Sequence, residues 1–284
     1  MHKRKITGII FLIIIFQIII AGCQSSEVTT TADAYLVMYA FDAEGKLLAE
    51  MMEITRTDHK LGKEIQLGTI AGKEVILAES GVGMTNAAMT TQSLIDTYNP
   101  QAVLFSGIAG GIDSTVHIGD IVAPDSWIQH DYGYIGPDGF VHYPLDTYSP
   151  DADSVIEVAS FPADSAMLAA LNAVPVDSVS LKPIGERRPA LIVGGVGVTG
   201  DTFIDSREKR QQLFENFGAL TTDMESAAVA QVCFTNGKPF IILRSASDLA
   251  GGTESGSARQ QIKQFFEVAA HNSASILVAL LGRL

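Results

Sequence analysis

Residues 102–112 read Ala-Val-Leu-Phe-Ser-Gly-Ile-Ala-Gly-Gly-Ile, and the fold turns on them. The first five are apolar or small, bounded by Asn99-Pro100 upstream and by glycines downstream. A run that short predicts a buried strand at 102–106 rather than a helix. Glycine lets a backbone turn sharply and lets a ligand reach its N–H groups, so 106–111 reads as a strand exit. A second stretch has the same form. Pro239 to Arg244 (PFIILR) predicts a buried strand, and Ser245-Ala246-Ser247-Asp248 follows as its exit. Working outward, strands are predicted at 34–40, 64–71, 74–79, 118–123 and 189–198. The pair around Gly72-Lys73 has hairpin spacing. Helices are predicted at 42–52, 84–98, 163–173, 207–217, 224–234 and 259–281, with an elaborated loop over 129–153 rich in Gly, Pro, Tyr and Asp. Strands alternating with helices argue for an α/β domain with a central sheet. There is no internal repeat and no linker to a second domain, so 34–284 reads as one domain.

In open α/β sheets ligands bind outside the carboxyl ends of strands. Besides the two exits above, the candidates are Ala40 to Glu44, Ser80-Gly81-Val82-Gly83, Gly200 to Ile204, and Asp223-Met224-Glu225 at a helix opening. Each glycine cluster taken alone reads as readily as a turn. No Gly-Lys-Ser/Thr follows any of them and no G-x-G-x-x-G occurs, so no nucleotide cofactor is expected.

The chain has 284 residues, 47% hydrophobic and 18% charged, with 19 Lys+Arg against 32 Asp+Glu and a net charge of −13. That balance argues against nucleic acid, which needs clustered cations. The mean hydropathy of +0.24 is high for a soluble enzyme, and much of the excess sits at the start. His-Lys-Arg-Lys (2–5) precedes a nearly unbroken Ile, Leu and Phe run over 9–20. A basic flank, a short apolar core and a small-residue exit make a secretory signal. The run is shorter than the ~20 apolar residues a spanning helix needs. Its end, Ile20-Ala21-Gly22-Cys23, resembles the lipobox of bacterial lipoproteins. That resemblance implies a signal peptide over 1–22, lipid on the Cys23 thiol, a tether over 23–33, and an extracytoplasmic, membrane-anchored body. An uncleaved anchor helix is the alternative. Loss of Lys3, Arg4 and Lys5 takes the charge from −13 to −16. Cys233 is then the second and last cysteine, so no intrachain disulfide forms.

Six motifs in order carry a wider resemblance: SGVGMTNAA (80–88), FSGIAGGI (105–112), IGDIV (118–122), GDTFI (200–204), DMESAAVAQVC (223–233) and RSASDLA (244–250). With them the region 34–283 resembles the purine nucleoside phosphorylase and nucleosidase superfamily, nearest the bacterial methylthioadenosine/S-adenosylhomocysteine nucleosidases. The resemblance implies a three-layer α/β/α fold around a mixed sheet, a purine nucleoside substrate, no cofactor, no metal and a homodimer. It assigns Asp248 as the acid that protonates purine N7, Glu44 as the base that activates water, and Glu225 as the group that grips the ribose hydroxyls. It places Ser247 beside Asp248, Phe203 on the purine face, Met224 against the ribose, and the Ile204 backbone at the base. Arg244 supports the carboxylates, and Ile108, Ala109 and Gly110 line the site. The chemistry is coherent with these roles. Glycosidic cleavage builds positive charge on the ribose, which carboxylates stabilise, and the base departs only when protonated.

Read singly, Asp223 and Asp248 also suit helix caps, Glu44 a solvated helix residue, Phe203 and Met224 core positions, and Arg244 half of an ion pair. The chain departs from the family pattern at Phe41, Ala43 and Ile108, the last replacing a hydroxyl residue. The segment 129–188 is long, and His130, Tyr132, Tyr134, His142 and Tyr143 either line a pocket or cover the sheet edge. A phosphorylase needs arginine donors for phosphate. None stands at 40–44 or 105–112, and Arg56 is the one basic candidate after the first helix, so water is the expected nucleophile. A phosphorolytic enzyme and a non-catalytic nucleoside-binding surface lipoprotein remain the alternatives. The histidines (His2, His59, His117, His130, His142, His271) are scattered and suggest no metal site.

Overall fold

The computed structural model describes residues 32–151 and 154–284. The expected signal peptide, Cys23 and most of the tether lie outside the described residues. In chain order the elements are β1 (Tyr35–Tyr39), α1 (Asp42–Met51), β2 (Glu53–Lys60), β3 (Lys63–Ile70), β4 (Lys73–Glu79), α2 (Met84–Tyr98), β5 (Ala102–Gly111), β6 (Ile121–Ala123), β7 (Ser126–Gln129), β8 (Gly133–Gly136), β9 (Gly139–His142), β10 (Leu145–Tyr148), β11 (Val155–Val158), β12 (Phe161–Pro162), α3 (Ser165–Asn172), β13 (Leu191–Val193), β14 (Val196–Thr199), α4 (Arg207–Phe217), β15 (Ala219–Asp223), α5 (Ser226–Thr235), β16 (Phe240–Leu249) and α6 (Ala258–Leu281).

The main sheet runs β12-β7-β14-β15-β5-β1-β4-β3-β2, with β16 joined to β5 and β6, and β6 to β13. It is mixed. β5 runs parallel to β1 and β16 and antiparallel to β15. Alternate residues of the central strands feed two layers, as the two-residue period of a strand requires. Leu36, Met38, Phe105 and Ile242 pack under Leu94 and Ile95 of α2 and Val229 of α5. Val37, Leu77, Leu104 and Leu243 pack under Leu48 of α1 and Ile276, Leu277 and Leu280 of α6. This is the expected helix–sheet–helix sandwich. Helix α6 is long and apolar enough to cross a bilayer, yet half of that apolar stretch is buried against the sheet and its N-terminus carries a Ser257/Gln260 capping box.

One detail of β5 creates the site. β1 pairs with β5 only as far as Phe105, and β15 pairs with it only at Gly110 and Gly111, from the opposite direction. Between them the edge of β5 meets no strand on that side. The segment 106–111, expected to be an exit loop, stays in extended strand, and over 106–109 it is held by β16 alone. The same holds for 245–249, which continues β16 through a register shift between Ala246 and Asp248.

Other expectations need correction. The strand expected over 189–198 is two strands, broken at Gly194 and Gly195, whose φ values of +101° and +78° favour glycine. The strand at 118–123 shortens to β6. The 129–153 loop holds the β8–β9 hairpin and β10, which pairs with β11 just beyond it. The helix expected from residue 224 begins at Ser226, leaving Met224 and Glu225 outside it. Several strands, β11 and β12 among them, lacked a readable signal. β2 is largely exposed and charged, and β7 and β15 are short and polar enough to pass for loop.

Candidate active site

Arg244 lies near the middle of β16 and is completely buried. Its guanidinium meets three carboxylates: Asp223 Oδ2 at 2.7 Å from Nε, Glu225 Oε2 at 3.4 Å from Nη2, and Glu44 Oε1 at 3.7 Å from Nη1. The Phe105 ring lies under it, 4.3 Å from Cζ to the centroid. Asp223 also accepts from the Thr199 hydroxyl at 2.5 Å and from the Ser226 hydroxyl. Burial works against the Arg244 charge, but Asp223, Glu225 and Glu44 outweigh it and raise its pKa. Gly107 makes room for the cluster. A Cβ there would sit 1.9 Å from Arg244 Nη1 and 2.6 Å from Glu44 Oε1.

Glu44 rises from the first turn of α1 into the gap on the edge of β5. Its Oε1 accepts the Ile108 N–H at 2.7 Å, and its Oε2 accepts the Ala40 N–H at 2.6 Å. A carboxylate thus occupies the place a neighbouring strand would have taken. Burial raises its pKa, against Arg244 and the two backbone donors, which lower it. Glu225 precedes α5. Its Oε1 accepts the Gly83 N–H at 2.8 Å, tying the 80–83 turn to the cluster. Burial raises Glu225 to about 7, with Arg244 lowering it and Asp223 raising it. One guanidinium faces three carboxyl groups here, so not all of them shed their protons easily.

Asp248 stands apart from this cluster, near the end of β16. Its Oδ2 accepts the Ser247 hydroxyl at 2.9 Å, and its Oδ1 is buried with no partner. Burial pushes its pKa up to about 7; Ser247 pulls against that, Asp205 adds to it, and Arg210 pulls against it. A carboxyl poised near neutrality, with one oxygen uncommitted, is suited to donate a proton.

These groups border one cleft of about 160 Å³, walled by Glu44, Asp223, Glu225, Ser247 and Asp248 with Phe41, Val82, Ile108, Ala109, Gly110, Phe203 and Met224. Among the described residues no Lys or Arg lines it. A recess continues from it between Gly110, Phe203, Ile204, Thr222 and Asp248. Phe203 is 41% exposed, which a core phenylalanine would not be. Ile204 buries its side chain, its carbonyl accepts the Gly251 N–H at 3.2 Å, and its N–H donates to nothing among the described residues.

Sequence reasoning and structure part at several residues. Arg244, grouped with the site residues as a support for the carboxylates, lies behind them and does not itself line the cleft. Asp223 does accept the Ser226 N–H at 3.3 Å, as a cap would, but its shorter bond is to Arg244. Arg56 pairs with Asp58 at 2.9 Å on β2 and has no part in the cleft. His130 is buried and borders a cavity with Asp131, Asp205 and Lys209 that adjoins the recess at Thr202, Phe203 and Ile204, whereas Tyr132, Tyr134 and Tyr143 are exposed. Gly83 and Gly107 fall in the glycine-rich exits that the sequence offers as candidates, whereas Thr222 lies in none of its motifs. Only the pairing of β15 with β5 reveals which of the adjacent Thr221 and Thr222 faces the cleft. A larger cavity of about 450 Å³, bordered by Arg207, Arg210 and Glu254, contains none of the three catalytic candidates.

Residues 34–282 match the family model described as the Phosphorylase superfamily. A 5′-methylthioadenosine/S-adenosylhomocysteine nucleosidase of Halalkalibacterium halodurans is 33% identical over 254 residues, covering 87% of this chain and 97% of that protein. One from Tolumonas auensis is also 33% identical, with 87% and 98% covered. Among solved structures, the same enzyme of Neisseria meningitidis in complex with methylthio-immucillin-A superposes with a TM-score of 0.73 at 27% identity, covering 89% of this chain and all of that one. A futalosine hydrolase of Helicobacter pylori superposes with a TM-score of 0.72 at 26% identity, covering 89% and 99%.

Proposed function

The chain belongs to the phosphorylase superfamily and is a nucleosidase that hydrolyses a purine N-glycosidic bond, and we propose that its substrate is 5′-methylthioadenosine or S-adenosylhomocysteine. In this reading the protonated Asp248 donates to N7 as the bond from N9 to C1′ breaks. Free adenine leaves, and positive charge grows on the ribosyl group. Glu225 holds the ribose hydroxyls and, with Glu44, stabilises that charge. Glu44, fixed by two backbone N–H groups, takes a proton from water as the water oxygen bonds to C1′. The product is the free 5-thio-substituted ribose. Phe203 covers one face of the base, Met224 packs on the sugar, and the Ile204 backbone meets the Watson–Crick edge.

The observation that carries water as the nucleophile is the cleft lining. Four carboxyl groups wall the cleft and no Lys or Arg among the described residues lines it, so none of these residues clamps phosphate there. The purified protein incubated with 5′-methylthioadenosine should release adenine at the same rate with and without phosphate. A rate that depends on phosphate overturns hydrolysis, and binding without adenine release favours a nucleoside-capture protein.

The N-terminal sequence supports an extracytoplasmic enzyme held by lipid on Cys23. Cys23→Ala should move the protein from the detergent-soluble membrane fraction to the soluble one. A homodimer is supported by the β8–β9 hairpin, where Ile135 is 80% exposed beside exposed Phe140 and Val141. Apolar patches of that kind mark association surfaces.

A further inference from the structure

We infer that Thr222 is a base-recognition residue whose hydroxyl donates a hydrogen bond to N3 of the bound purine. The inference rests on the nucleosidase reading above. Its starting point is a contrast between two adjacent threonines on β15. Thr221 points to one face of the sheet and gives its hydroxyl to the Gly110 carbonyl at 3.1 Å. Thr222 points to the other face, is only 6% exposed, and its Oγ1 has no partner. Buried hydroxyls are nearly always bonded, so one that is not, at the edge of a ligand cleft, is waiting for a ligand atom.

The register says which atom. Thr222 lies opposite Gly110 on β5, and Gly110 lies opposite Asp248 on β16. The three form a row across the sheet, and residues opposite one another share a face. Gly110 contributes no side chain, and a Cβ there would already come within 3.1 Å of Asp248 Oδ1. The row is thus a slot with a bare floor. Its two walls each carry one buried, unpartnered oxygen. Two strand spacings separate the walls, about 10 Å, which admits a flat heterocycle with a hydrogen bond on either side. A 9-substituted adenine has three ring acceptors, N1, N3 and N7. Asp248 takes N7 and the Ile204 backbone takes the edge that holds N1. N3 remains, and it lies on the opposite edge of the ring from N7, toward Thr222. The electron pair of the breaking N9–C1′ bond moves into the base and makes its ring nitrogens better acceptors than in the N7-protonated nucleoside, so this bond strengthens as the glycosidic bond breaks.

The test uses the full protein, free bases and calorimetry. Wild type binds adenine about tenfold more tightly than 3-deazaadenine, the size expected for one neutral hydrogen bond. Thr222→Val, which keeps the shape and removes the hydroxyl, binds the two equally. Its discrimination against 1-deazaadenine stays at the wild-type level, which a general loosening of the cleft would not leave intact. Thr222→Ser, which keeps the hydroxyl, retains the preference for adenine over 3-deazaadenine. Wild-type discrimination at N3 persisting in Thr222→Val, or absent in wild type, overturns the inference. A wild-type protein that releases no adenine from any purine nucleoside overturns the reading beneath it, and this inference with it.

Discussion

The two ends of the cleft are built on opposite principles. At the sugar end Glu44, Asp223 and Glu225 are each tied to Arg244 and to backbone N–H or hydroxyl donors, with no ligand present. At the base end Asp248 Oδ1 and Thr222 Oγ1 have no partner. Charge that develops only in a transition state is best met by groups already fixed in place. A base that must be recognised is best met by groups whose partners are missing until it arrives. The sugar end is therefore rigid and electrostatic, and the base end selective.

Removing the hub of the sugar end should have the largest effect. Arg244→Ala leaves three carboxyl groups around an empty space, and losing one side of a buried ion pair costs about 3–5 kcal/mol. Urea unfolding should show a loss of that size, together with loss of adenine release. A shift within about 0.5 kcal/mol, the range of ordinary surface changes, would mean that the cluster holds nothing together.

Asp248→Asn separates the two ends. Adenine release should fall by about 10²- to 10⁴-fold, the range for a general acid, while the fold is retained. The stability effect should carry the opposite sign. The folded-state pKa of Asp248, raised to about 7 from an ordinary 3.8, makes the native state hold a proton that the unfolded chain gives up. Wild-type stability falls as pH rises through that window and stays low above it. The asparagine variant has no such charge to bury, so its melting temperature at pH 8 should exceed wild type, with the gain vanishing near pH 4. An equal difference at both pH values would break the assignment of a buried, protonated Asp248.

Activity against pH sharpens the same contrast. Asp248 must be protonated and Glu225 ionised, and both titrate near 7, so kcat/KM should give a narrow bell centred there. Its alkaline limb should disappear in the asparagine variant. The smallest effect is expected at the open face of the base. Phe203→Ala should raise KM about tenfold, the scale of aromatic contact plus lost apolar area, with little change in kcat. A larger fall in kcat than in affinity would place Phe203 in the chemistry.

Much of the fold was legible because its central strands are short apolar runs with glycines after them, and its helices have clear stops. β1, α1, the β3–β4 hairpin, α2 and α4 stand within a residue or two of where composition puts them. The misses share a cause. β2, β7 and β15 are set by what pairs with them rather than by their own residues. The family resemblance could single out Glu44, Glu225 and Asp248 and give Arg244 a supporting role, but it could not say that one guanidinium meets Glu44, Asp223 and Glu225 together. Nor could it separate Thr222 from Thr221, since adjacent identical residues part only when a strand assigns them to opposite faces.

The unpaired edge of β5 has one more consequence. The Ile108 N–H is bonded to Glu44 rather than to another strand, so the peptide backbone there senses a side chain's charge. Its amide resonance should move as Glu44 gains or loses a proton, while those of Ala102 to Phe105, on a stretch of β5 with no titratable side chain, hold nearly still. The sheet thereby carries a native indicator at the reacting centre, readable by magnetic resonance in the resting enzyme and at each stage of turnover.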